Sequence, residues 1–279
     1  VRIASGNDEQ YAAWNGESGE RWVSTADRRD AVLAPVADAL LAAADPRPGE
    51  RVLDLGCGCG VTTLAAARAV GGSGTAVGVD LSAPMLDVAR QRAAGAGLDH
   101  VAFVQADVQT ADLPGAADLV IARFGTMFYA DPVAAFANVH RAMAPGGRLC
   151  LATWQPLLDN EWIVVPGGVL LRFGSMPDAG TGPGMFAQSD PEVVTEVLEA
   201  SGFRSVELTA VSVELRVGDD VAAAIEHLTD SGPTRAVLDT VPAGDRAEAL
   251  AALAGGLADH ADEDGVHLGA SIWLVAASR

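Results

Sequence analysis

Lysine is absent from this chain: all 18 basic side chains are arginine. That removes lysine as a source of Schiff-base chemistry or as a general base. Positive charge is scarce altogether. Against 37 acidic residues the arginines leave a formal net charge of −19. Binding to DNA or RNA draws on Lys and Arg to displace counterions from phosphates, so nucleic acid is not an expected partner. Cysteine is limited to Cys57, Cys59 and Cys150, too few for a disulfide framework. The first two are separated by one residue, not by the two of a C-x-x-C metal pair. Small buried thiols in a reducing cytoplasm are the expectation. The histidines, His100, His140, His227, His260 and His267, form no H-E-x-x-H type of cluster, so no metal is expected. No apolar run approaches the roughly 18 residues of a membrane span, and no basic segment followed by an apolar stretch marks a signal peptide. A cytoplasmic protein without a membrane partner is expected.

What is present is alanine, glycine and valine, the composition of a high-GC bacterial genome. Apolar residues make up 49% and charged residues 20%, the balance of a globular protein. No Pro/Ser-rich linker or charge block divides the chain, so 1–279 is read as one domain. Its most informative stretch is Val52-Leu53-Asp54-Leu55-Gly56-Cys57-Gly58-Cys59-Gly60. An apolar strand ends in an acid, three glycines follow at alternate positions, and a helix-compatible run begins at Val61. A strand ending in a Gly-rich turn that opens a helix is a nucleotide cradle. The dinucleotide fingerprint G-x-G-x-x-G wants its third glycine one residue later, where Val61 stands. Asp54, two residues before the first glycine, would repel a pyrophosphate and attract a cation such as an ammonium.

Two further strands end in acids. Ala76-Val77-Gly78-Val79-Asp80-Leu81-Ser82 lies one strand–helix–strand unit further on. Asp80 there can accept ribose hydroxyls or cap the next helix, a task Ser82 performs equally well. Phe103-Val104-Gln105-Ala106-Asp107-Val108 is the third. A fourth strand, Asp118–Ala122, leads into Arg123-Phe124-Gly125-Thr126-Met127-Phe128-Tyr129. A Pro145-Gly146-Gly147 turn precedes the fifth, Arg148–Trp154.

This series resembles the motifs of the class I S-adenosylmethionine (SAM) dependent methyltransferases over about residues 46–154. More loosely, Gly19-Glu20-Arg21-Trp22, Arg123-Phe124-Gly125 and Asp131-Pro132 resemble a bacterial small-molecule methyltransferase subgroup. The resemblance implies SAM as cofactor and S-adenosylhomocysteine (SAH) as its product. It implies cofactor contacts from Asp54, Gly56, Cys57, Gly58 and Gly60, from Asp80, Leu81 and Met85, from Asp107 and Val108 at the adenine, and from Arg123 near the methionine end. The Arg123 guanidinium would hold a substrate anion or pair with an acid behind the sheet.

The implied fold is a Rossmann-like, doubly wound α/β sheet, mostly parallel with an antiparallel last strand, plus an N-terminal helical lid and an inserted helical cap. Residues 1–45 are read as the lid, with short helices carrying Tyr11, Trp14 and Trp22 and a single helix over 31–44 that ends before Pro46. The alternative for these aromatics is ordinary packing of an arm. Residues 46–154 form the SAM-binding core. Residues 155–190 are read as an irregular lid loop, and 191–279 as the last strands enclosing a helical cap at 219–261. Acids and glycines that follow strand ends converge on one sheet edge. Tyr11, Trp14, Trp22, Phe124, Met127, Phe128, Trp154 and Trp162 are candidate walls for a small-molecule acceptor.

Methyl transfer from a sulfonium needs no acid for its leaving group. Alignment of a nucleophile and exclusion of water supply much of the rate, and no residue is assigned as catalytic. The expected function is methylation of a small acceptor, in a bacterial secondary metabolism, by in-line displacement. The rival readings are a SAM-binding fold with a cyclase or regulatory role and, disfavoured by Gly60 and Asp54, a nicotinamide oxidoreductase.

Overall fold

The computed structural model describes residues 1–176, 182–230 and 232–279. The apolar runs that end in acids become parallel strands: β1 Arg51–Leu55, β2 Thr75–Asp80, β3 Val101–Gln105, β4 Ala117–Arg123 and β5 Met143–Trp154. β1 pairs with β2 and with β4, β2 with β3, and β4 with β5, all in parallel. Two long strands, β6 Arg204–Gly218 and β8 Gly265–Ser278, and the two-residue β7 Ala261–Asp262 complete the sheet. Its order is β3-β2-β1-β4-β5-β8-β6, with β7 on β8. Successive strands run outward one way from β1 and the other way from β4. That reversal is the switch point outside which α/β sheets bind ligands.

Helices cover the strands because both faces of a parallel sheet are apolar. Four lie before the sheet: α1 Asp8–Asn15, α2 Glu17–Ser24, α3 Ala26–Val32 and α4 Ala34–Ala44. α5 Val61–Val70, α6 Ala83–Gly95 and α7 Pro132–Ala142 connect the parallel strands. α8 Glu161–Leu170, α9 Pro191–Ala200, α10 Val221–Asp230, α11 Gly232–Thr240 and α12 Arg246–Ala258 follow. The Ser82, Asp131 and Asp190 side chains accept a first-turn N–H of α6, α7 and α9, and each of these helices has Pro at its first or second position. Cap and proline together fix where the helix starts. α7 and α9 press Phe136 and Leu198 onto Leu53, Leu55, Val120 and Leu149 of the sheet. Each such side chain contributes on the order of 1.5–3 kcal/mol by leaving water.

Three expectations from the sequence are corrected. The helix over 31–44 is two helices, broken at Leu33 (φ −90°, ψ 7°). Pro35 has no N–H to bond the carbonyl of Ala31, so a continuous helix fails there. Residues 155–190 are not wholly irregular: Leu157–Asp159 form a 3-10 turn and α8 follows, despite Pro166 inside it. Burial of Ile163, Pro166 and Leu170 outweighs a poor local propensity. Residues 177–181 of that stretch lie outside the described residues. The fifth strand starts earlier than Arg148, at Met143, and the pairing jumps from Ala117–Met143 to Leu119–Arg148. The Pro-Gly-Gly turn is a bulge within the strand.

The chain divides into two compact units. The first comprises Val1–Trp154, Pro183–Ala210 and Trp273–Arg279. It holds α1 to α7, β1 to β5 and α9. The second comprises Gln155–Gly182 and Val211–Ile272. There α8 packs on α11 and α12, and α10 on the same pair.

Candidate cofactor site at the ends of the parallel strands

The turn after β1 can exist only with glycines. Gly56, Gly58 and Gly60 have φ of 62°, 53° and 85°, the left-handed region where a Cβ is penalised. Space is denied as well. A Cβ on Gly56 would sit 2.6 Å from the Cα of Gly125, and one on Gly58 would sit 2.9 Å from Met85 Cε. The loop is then tied to β2. The Gly56 and Cys57 amides donate to Val79 O at 2.8 and 3.1 Å, and the Gly58 amide donates to Asp80 Oδ2 at 2.8 Å. Cys57 and Cys59 are buried. Burial pushes the Cys57 thiol well above its ordinary range and Cys59 up to about 11, so neither is a reactive thiolate.

Asp54 is fully buried. Its Oδ2 accepts from Thr62 at 2.7 Å and Thr63 at 2.6 Å, both in the first turn of α5. Its Oδ1 is buried with no hydrogen-bond partner among the described residues. Burial raises its carboxyl to about 6, against the pull of the two threonines and of Arg123. Asp80 Oδ1 accepts from the Ser82 amide at 2.8 Å. Ser82 Oγ faces the Met85 amide at 3.4 Å, so the serine caps α6 and the aspartate joins the two loops. Burial raises the Asp80 carboxyl, and the amides of Ser82 and Gly58 draw it back.

Asp107 is 1% exposed. It accepts from Ala4 N at 2.8 Å and Asn7 Nδ2 at 2.9 Å on Oδ2, and from Gln109 N at 2.9 Å on Oδ1. The N-terminal segment thus occupies the third acid. The same segment reaches the other loops. Asn7 Oδ1 accepts from Ala130 N at 3.1 Å. Asn15 donates to Leu81 O at 2.9 Å and accepts from Ala83 N at 3.0 Å. Ser82 Oγ donates to Trp14 O at 2.6 Å. Trp14 and Trp22, 5.9 Å apart and edge to face, pack with Val23 and Val88 on Ala26, Cys59 and Met85. Trp14 also meets Phe128 edge-on at 5.4 Å, and Arg29 lies over the Trp22 ring at 4.7 Å. Tyr11, on α1, is half-buried.

Arg123 is not turned to a ligand in this arrangement. Its side chain is 11% exposed and pairs at 3.2 Å with Asp30 of α3, which also binds Arg92 of α6 at 2.7 Å. Of its two expected roles the ion pair is observed, with an acid of the N-terminal helices rather than one behind the sheet. Phe124 follows with φ 65°, an uncommon conformation for a bulky residue. Its ring stacks on Trp154, centroids 4.0 Å apart and planes 13° apart. Met127 is buried, and its carbonyl accepts from Gly184 N at 3.1 Å. Val108, also buried, accepts from Asn138 at 2.7 Å through its carbonyl. Trp162 belongs to the second unit, where its indole donates to Asn160 at 3.2 Å. Asn7, Asn15 and Asp30 were missed by sequence reasoning, because nothing in a lone Asn or Asp on a short helix marks a long-range contact. Gln188 was missed too. It accepts from Thr126 Oγ1 at 2.7 Å.

Residues 52–147 match the family model described as "Methyltransferase domain". The nocamycin O-methyltransferase of Saccharothrix syringae is 33% identical over 243 residues, 81% of this chain and 84% of that protein. This chain belongs to the class I SAM-dependent methyltransferases. The aklanonic acid methyltransferase of a Streptomyces species is 31% identical over 148 residues, 52% of this chain and 67% of that protein. Among solved structures, a 4+2 cyclase, SpnF, superposes with a TM-score of 0.57 at 20% identity, covering 94% of this chain and 95% of that one. That likeness concerns the fold alone. The methyltransferase family is SAM-dependent, and among the described residues no helix is long and apolar enough to cross a membrane.

Proposed function

We propose that this methyltransferase transfers the methyl group of SAM to an oxygen of an aromatic or polyketide-like small molecule. The observation that carries the cofactor assignment is Asp54 Oδ1. A buried carboxylate oxygen without a partner among the described residues, beside three left-handed glycines, fits the ammonium of a methionine moiety. A bare anion there would be held at a standing cost. Asp80 offers its remaining lone pairs to ribose hydroxyls. Asp107 offers an acceptor to the adenine amino group once the N-terminal segment cedes it. When bound, SAM supplies a methyl on a sulfonium whose departure leaves a neutral thioether.

The chain's own contribution is position and dryness. The Gly56–Gly60 turn lets the ligand approach the backbone, and α1 and α2 pack over the adjoining loops and exclude water. Phe124, Met127, Phe128 and Trp154 give apolar walls that suit a flat acceptor. The name of the Saccharothrix relative favours an oxygen nucleophile. His100 bonds the carbonyl of Ala67 at 2.9 Å, and His140 packs edge-on to Phe203 at 5.2 Å. Neither joins Asp54, Asp80 and Asp107, and no general base is assigned.

The test is mass spectrometry of the protein incubated with SAM and a panel of phenolic, enolic and carboxylic acceptors. The expected result is SAH together with an acceptor heavier by one methyl. Tight SAM binding with no SAH from any acceptor would favour the cyclase or regulatory reading, a chemistry this fold also hosts.

A further inference from the structure

Tyr129 closes the 3-10 turn Gly125–Phe128 that follows β4. Its ring meets Phe136 of α7 edge-on, centroids 5.8 Å apart. It packs on the apolar cluster that includes Leu55, Val79, Ala106 and Val108. In the chain these residues are the neighbours of Asp54, Asp80 and, on both sides, Asp107. The cluster the ring joins thus carries chain neighbours of all three acids. Its hydroxyl oxygen is buried and has no hydrogen-bond partner among the described residues. Polar groups of the neighbouring loops are better served: Asp107 has three donors, Asp80 has two, and Thr126 has Gln188. Burial first, then the charges of Asp80, Asp107 and Asp54, push the phenol far above its usual range. It keeps its proton at any working pH, and the acids it senses are those assigned above to the cofactor.

The site's chemistry explains why a donor belongs there. Ionised carboxylates only accept hydrogen bonds. They can serve the amino group of adenine and the hydroxyls of ribose, but not the ring nitrogens or oxygens of a nucleoside. A neutral phenol supplies the missing polarity. A buried hydroxyl left unpaired weakens a fold, and phenylalanine would fill the same space without that cost.

We propose that Tyr129 is a cofactor-binding residue whose hydroxyl donates a hydrogen bond to an acceptor atom of the adenosine half of SAM. This rests on the reading of the site as a SAM site.

The test is Tyr129→Phe, which removes one oxygen and keeps the ring. SAH is titrated into both proteins by calorimetry. The dissociation constant should rise about five- to tenfold, the size of one hydrogen bond. The melting temperature without ligand should stay the same or rise, because only a partnerless oxygen is lost. A second measurement reports on the hydroxyl directly. The chain has two tyrosines, so fluorotyrosine-labelled protein gives two fluorine resonances. The one missing from the Tyr129→Phe protein should shift when SAH is added. An unchanged dissociation constant, or a resonance that does not move, overturns the assignment and leaves the SAM site standing. Wild-type protein that fails to bind SAH overturns the site itself, and this assignment with it.

Discussion

At Asp54 the fold holds a carboxylate in an environment that does not favour its charge. Burial lifts its carboxyl to about 6, above the value near 3.9 of an unfolded chain. Below pH 4 the group is protonated in both states and carries no penalty. Above pH 6 it is ionised in both, and the folded state bears a penalty of about 3 kcal/mol. The stability of wild type relative to Asp54→Asn should therefore improve by about that amount as pH falls from 8 to 4, measured by urea unfolding at each pH. A difference that does not vary with pH would show Asp54 to be ordinarily solvated. Ligand binding runs the other way. A cationic ammonium needs the ionised acid, so SAH affinity should drop as pH falls through about 6. Asp54 was legible in the sequence as a cation-attracting residue from its place before the glycines. Its cost was not, since that depends on Thr62 and Thr63 satisfying one oxygen and nothing described satisfying the other.

Among the elements, the N-terminal helices carry more of the site than their sequence suggests. Asn7 is 1% exposed and bridges Asp107 to Ala130 N. Replacing it by alanine removes both bonds and leaves Asp107 short of a donor. The expected loss is about 2 kcal/mol of docking energy for the arm. Limited proteolysis should cut within residues 1–24 faster in Asn7→Ala, and fluorescence from Trp14 and Trp22 should change. Equal cleavage rates would mean that the tryptophans alone hold the arm. The strands and their motif acids were legible because short continuous apolar runs and glycine spacing are local signals. The division of residues 26–44 into α3 and α4, the helix at 161–170 and the Asp30–Arg123 pair were not. They are decided by contacts between residues distant in sequence: Pro35 and Pro166 give the same hint of a break, and only the first is realised.

The whole molecule carries −19 charges without a single lysine. Self-repulsion of that size opposes compaction. Raising salt from about 0.01 M to about 0.1 M shortens the screening length from about 30 Å to about 10 Å, so the melting temperature should climb by a few degrees over that range. A flat or falling curve would mean that ion pairs such as Arg148–Glu50 and Arg51–Asp118 outweigh the repulsion. With SAM bound beneath the arm, as proposed, the arm sets a clock for this molecule. Each turnover must discharge SAH and admit SAM, yet Ala4, Asn7, Trp14 and Asn15 bond the loops after β2, β3 and β4, and Trp14 and Trp22 pack in the cluster with Cys59 of the loop after β1. On that reading those bonds open and re-form once per cycle, and the frequency of opening is a ceiling on kcat. Solvent viscosity slows such a motion and leaves transfer between fixed atoms untouched. Added sucrose or glycerol should therefore lower kcat in step with viscosity in the intact chain and much less in Asn7→Ala, whereas an indifferent kcat would place the slow step in the chemistry.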